Sequence, residues 1–98
     1  MEIDKPLYED EIISLVLHAI EDVSYTKIFL KCSIKGDTFS YNLEYENVEN
    51  MRIKAEIWDS HELSCLIKHD QRRRWNNLSM VISVDGTIIS DYYFVQYL

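Results

Sequence analysis

Three side chains able to ligate a metal recur at intervals of four: His61, Cys65 and His69. On a helix this spacing aligns them along one face, so two or three could reach a single ion. No fourth ligand is marked, and Leu63, Leu66 and Ile67 of the same stretch face another way. Surface or boundary positions account for all three residues, so neither a metal nor any other cofactor is expected. Cys65 between two histidines also has the makings of a nucleophile, since a thiol needs a nearby base to become a thiolate. No local signature of a thiol enzyme surrounds it. Cys32 falls on the apolar side of an alternating segment and His18 within a helical pattern, so both read as structural. The carboxylate pairs Glu9–Asp10 and Glu44–Glu46 sit in a generally acidic stretch without a spacing suited to acid–base work. Gly36 and Gly86 are turn glycines, so phosphate-cradling glycine loops are absent. The expectation is a protein that is not an enzyme.

Charge narrows the possible partners. The formal net charge is -7. Residues 1–50 carry eleven acids and four bases, and residues 51–98 carry six of each, so the whole excess lies in the first half. Such a surface is repelled by phosphate backbones and attracts basic proteins. Arg72, Arg73 and Arg74 followed by Trp75 resemble a small nucleic-acid patch. A helix end or a partner's carboxylates explain these three charges equally well, and no direct nucleic-acid binding is expected. No window approaches eighteen continuous apolar residues, and the first apolar stretch, Ile12 to Ile20, is broken by Ser14 and His18 and preceded by acids. A cytoplasmic protein with two free thiols and no membrane contact is expected.

The elements that would position these residues can be read from periodicity. The length of 98 residues suits one domain spanning 1–98. Pro6 and the acids after it start a helix expected over residues 6–23, with Ile13, Val16, Leu17, Ile20 and Val23 as its apolar stripe. Alternation predicts a strand from Tyr25 to Ile34, with Ile28, Leu30, Cys32 and Ile34 on one face. Lys35-Gly36-Asp37 turns the chain into a second strand whose half-buried face is Phe39, Tyr41, Leu43 and Tyr45. Asn47 to Asn50 is a loop, and Met51 to Trp58 alternates as a third strand. Asp59 and Glu62 have capping-box spacing for a second helix, with Leu63, Leu66 and Ile67 inward and Arg72–Arg74 near its C-terminus. Leu78 to Val84, the turn Asp85-Gly86, and Thr87 to Tyr97 form a closing hairpin. In that last strand Ile88, Ser90, Tyr92 and Phe94 share one face, and Ile89, Asp91, Tyr93 and Val95 the other. The predicted class is α+β, in the order α-β-β-β-α-β-β, an antiparallel sheet with two helices on one face.

The seven tyrosines serve either cross-strand packing or protein contact. Tyr92, Tyr93 and Tyr97 crowd the last strand, and alternation turns some of them outward.

The segment from Trp75 through Leu78, Met80, Ile82, Asp85-Gly86, Ile88 and Asp91-Tyr92-Tyr93-Phe94 resembles the closing hairpin of YezG-like antitoxin and immunity proteins. In that family a tryptophan leads into an alternating strand, an acidic-Gly turn and a strand ending in an acidic-aromatic cluster. An N-terminal helix followed by a hairpin agrees with the family's order. The resemblance covers about the last quarter of the chain well and the rest in outline. It implies an immunity protein of the contact-dependent inhibition type, which binds and neutralises a cognate polymorphic toxin, often a nuclease. The partner expected is a basic toxin domain, blocked by an acidic surface. Glu9, Asp10, Glu11, Glu21, Asp22, Glu44, Glu46 and Glu49 are the candidate acids, with Tyr93 and Tyr97 as aromatic anchors. A small cytoplasmic regulatory or adaptor domain with a non-toxin partner is the alternative, and the oligomeric state stays open.

Overall fold

A computed structural model describes residues 9–68 and 75–96. The order is α1 (Glu9–Ala19), β1 (Lys27–Lys35), β2 (Thr38–Glu46), β3 (Arg52–Ala55), α2 (Ser60–Lys68), β4 (Asn77–Ser83) and β5 (Ile88–Tyr93). This is the α+β sequence α-β-β-β-α-β-β expected from periodicity. The strands form one antiparallel sheet in the order β3-β2-β1-β4-β5. β1 is central, pairing with β2 on one side and β4 on the other, and its Ile28, Leu30, Cys32 and Ile34 are all buried. Cross-strand partners continue that face through Leu43 on β2 and Leu78, Met80 and Ile82 on β4. Ile12, Val16 and Ile20 of α1 and Leu63 and Ile67 of α2 join the same buried cluster, with Ile57 and Trp75. Each Leu or Ile side chain fully buried there contributes roughly 1.5–3 kcal/mol relative to exposure.

Several boundaries differ from the sequence expectation, each for a physical reason. The described part of α1 ends at Ala19 rather than residue 23, where the N–H groups of Ile20 and Val23 turn back to the carbonyls of Leu17 and Ile20. Its buried row is Ile12, Val16 and Ile20, so the stripe is rotated from the one predicted; Leu17 and Val23 lie exposed and Ile13 is half-buried. β3 covers Arg52–Ala55, not Met51 to Trp58. It stops because the Ile57 N–H is taken by the Tyr41 hydroxyl at 3.1 Å, which draws the chain off the sheet towards α2. β5 is likewise shorter, and Phe94 is exposed although its alternation partners Ser90 and Tyr92 face the core side. After Tyr93 the chain is held instead by the Asn76 side chain, which accepts from the Val95 N–H and donates to the Val95 carbonyl, both at 2.8 Å. The expected positions of His69, Arg72, Arg73, Arg74 and Tyr97 lie outside the described residues.

Both hairpin turns use a glycine in the left-handed region, Gly36 at φ 61° and Gly86 at φ 94°. In the second turn Thr87 donates its backbone N–H to the Asp85 side chain at 2.9 Å. Backbone and side-chain bonds from Thr87 hold the Asp85 carboxyl below the usual carboxylate range.

Candidate functional site: the helical face and its exposed tryptophan

The candidate acids do not form one surface. Alternation on β2 puts Glu44 and Glu46 on the sheet face opposite the helices. There Glu44 pairs with Phe29 and Lys54, and Glu46 with Lys27 and Arg52. Arg52 Nη1 lies 3.0 Å from Glu44 Oε1, and its guanidinium lies 3.8 Å from the centre of the Phe29 ring. Glu46 accepts a hydrogen bond from the Thr26 hydroxyl at 3.4 Å. Lys31 and Lys35 occupy the same face of β1, so five of the six described lysines and arginines lie on this open side of the sheet. Glu44 and Glu46 are thus acids within a basic surface. Tyr93 shares this face, across from Asn77 on the far strand. Glu49 is exposed in the loop between β2 and β3, where its N–H donates to the Asn47 side chain at 2.9 Å.

Glu9 corrects the expectation most sharply. It is only 8% exposed. Ser90 donates its hydroxyl to Glu9 Oε2 at 2.9 Å, and Tyr92 donates to the same oxygen at 2.6 Å. The Tyr92 ring in turn packs on Trp75, with centroids 5.3 Å apart. Burying a carboxylate requires donors, and these two hydroxyls sit on the core side of β5. Glu9 therefore ties the start of α1 to the sheet and presents no charge to a partner.

The remaining helical acids do stand outward. Asp10 and Glu11 are exposed in the first turn of α1, where the helix dipole favours carboxylates. Glu21 and Asp22 are exposed just beyond its end. Beside that end lies a residue that composition and charge did not single out. Trp58 is 79% exposed, and its ring is tilted against His18 with centroids 6.0 Å apart. His18 Nδ1 is 3.3 Å from Glu21 Oε1.

Trp58 is exposed although its backbone is firmly held. Next to it Ile57 is buried and bonded to Tyr41. On the other side Asp59 caps α2: its carboxylate accepts the Glu62 N–H at 3.0 Å and its carbonyl accepts the Leu63 N–H at 3.2 Å. A residue just before a cap often packs on the fourth helical residue, here Leu63. Leu63 is completely buried while Trp58 stays in solvent, so the tryptophan closes little of the core. The sequence did carry a signal: Trp58 shares its parity with Arg52, Lys54 and Glu56, on the polar side of the alternation. Continuing the strand to residue 58 hid it.

On α2, His61 and Cys65 converge, with Nε2 and Sγ 3.5 Å apart. Among the described residues no group of three His, Cys, Asp or Glu side chains is placed to hold a metal ion. Cys32 is buried at the centre of the sheet, and burial pushes its thiol up to about 12. No helix among the described residues is long and apolar enough to cross a membrane. No protein-family model matches the sequence, and no curated protein matches it.

Proposed function

We propose that this chain is an immunity protein, acting in the cytoplasm of the cell that makes it by binding a toxin domain and covering its active site. The observation that carries the reading is Trp58, a rigidly held and exposed tryptophan set against His18 and Glu21 at the end of an acidic helix. An exposed aromatic on a fixed backbone loses little entropy when it enters a partner's pocket, and tryptophan is enriched among the residues that dominate binding energy. Glu21 and Asp22 supply negative potential beside it, and Asp10 and Glu11 carry the same sign at the other end of α1, complementary to the basic groove with which a nuclease holds its substrate. The resemblance of the Trp75–Phe94 hairpin to YezG-like immunity proteins supports the same role. In this reading the partner-facing acids are those of α1, while Glu44 and Glu46 serve the opposite face.

The test is to look for a toxin-domain gene beside this one and, where one lies immediately upstream, to co-express the two. The chain is expected to co-purify with that toxin domain and to restore growth to cells expressing it. Trp58→Ala and the double reversal Glu21→Lys/Asp22→Lys are each expected to weaken the complex at least tenfold. Failure of the wild-type chain to bind or to rescue growth rejects the reading.

A further inference from the structure

We propose that His61 and Cys65 are one half of a zinc site that a second copy of this chain completes. The argument begins with helical spacing. Residues four apart on α2 stack on one flank, and here both metal-binding atoms turn towards each other, Nε2 and Sγ standing 3.5 Å apart. Zinc holds sulfur at about 2.3 Å and nitrogen at about 2.0–2.1 Å, so a tetrahedral angle at the metal separates the two ligand atoms by about 3.6 Å. The pair stands at about that separation, so the two atoms are close enough to share one ion.

Two ligands are half of a tetrahedral set, and among the described residues, which stop at Lys68 before His69, no group of three His, Cys, Asp or Glu side chains is placed to hold a metal. A two-fold axis through the metal doubles the pair to two cysteines and two histidines, a closed structural zinc set. The flank is accessible for such an approach, with His61 exposed and Cys65 half-buried. Ser64 beside them is small. Lys68, one turn beyond Cys65, has its ammonium bonded to the Asp37 carbonyl at 3.0 Å, which draws that cation towards the hairpin turn. Only Cys32 and Cys65 carry thiols in this chain, and Cys32 is buried with its ionisation pushed to about 12. Any metal–thiolate bond at neutral pH therefore belongs to Cys65. Binding one Zn2+ between two copies forms two Zn–S and two Zn–N bonds and releases two thiol protons to solvent. A chain of net charge -7 repels its own copy, so the pairing depends on the metal.

The full chain, kept reduced with a phosphine, is titrated with Co2+ and then Zn2+. The near-ultraviolet thiolate-to-cobalt charge-transfer band is followed together with molar mass by light scattering. The expected result is a band that saturates at one metal per two chains, with mass rising from monomer to dimer, and that Zn2+ bleaches without dissociating the dimer. Cys65→Ser abolishes band and dimer, and His61→Asn weakens metal affinity at least tenfold; circular dichroism checks that both variants remain folded. Absence of the band, saturation at one metal per chain without a change of mass, or a band that survives Cys65→Ser overturns the proposal.

Discussion

A carboxylate turned inward has to be matched by donors, and a tryptophan turned outward has to be left out of the core. Glu9 and Trp58 are these two cases, and they predict opposite outcomes in one experiment. Replacing Glu9 with Ala strips the acceptor from the Ser90 and Tyr92 hydroxyls, which bond to it at 2.9 and 2.6 Å. Donors left without their acceptor in a partly buried site cost about 1–3 kcal/mol. Trp58→Ala removes a ring that is 79% exposed, so its effect on stability stays within about 0.5 kcal/mol. Urea denaturation of the two variants measures this directly. A Glu9→Ala midpoint equal to wild type would show that the carboxylate does not clamp α1 to β5. A large loss for Trp58→Ala would show that the ring supports the fold and is not held in reserve for a partner.

At the scale of elements, what was legible in the sequence was whatever a single strand or helix decides alone. The alternation of Ile28, Leu30, Cys32 and Ile34 gave a strand and its buried face, though not its place at the centre of the sheet. The Asp59–Glu62 spacing gave the start of α2. What could not be read depends on partners distant in the chain. β3 looks like a strand to residue 58, but the Tyr41 hydroxyl, sixteen residues away, captures the Ile57 N–H and ends it. Glu9 reads as one more surface acid because its partners lie more than eighty residues on. For the same reason the acids looked like one patch, although the parity of β2 sends Glu44 and Glu46 to the far face. The α2 cap is itself testable. Asp59→Ala leaves the Glu62 N–H without its side-chain acceptor and is expected to cost about 1 kcal/mol. Because this cap also sets where Trp58 stands, the variant should weaken toxin binding by more than its loss of stability explains. Comparison of the urea midpoint with the calorimetric Kd for the proposed toxin partner separates the two effects, and equal losses would mean that the cap does not position the tryptophan.

At the scale of the molecule, the net charge of -7 hides a separation of sign among the described residues. Asp10 and Glu11 face outward on α1, and Glu21 and Asp22 just beyond its end, whereas Lys27, Lys31, Lys35, Arg52 and Lys54 lie on the open side of the sheet with Glu44 and Glu46 among them. Two opposed surfaces attract different partners and steer them by different routes. Long-range attraction acts mainly on the association rate and weakens as salt screens it, with a Debye length of about 10 Å at 0.1 M and about 3 Å at 1 M ionic strength. Under the proposed function, a basic toxin domain is expected to be guided mainly by the helical layer. Reversal of Glu21 and Asp22 to Lys is expected to slow association about tenfold at low salt and to flatten its salt dependence. Reversal of Lys31 and Lys35 to Glu should leave the rate unchanged or raise it slightly, because it adds negative charge without touching the proposed docking face. The Glu44→Lys/Glu46→Lys variant should have a small effect, since those acids are already countered by Arg52 and its basic neighbours. Stopped-flow association with the proposed toxin partner across a salt series distinguishes the faces. If the Glu44 and Glu46 variant slows association most, the toxin reads the open face of the sheet, and the acidic helix with its tryptophan is not the surface that docks.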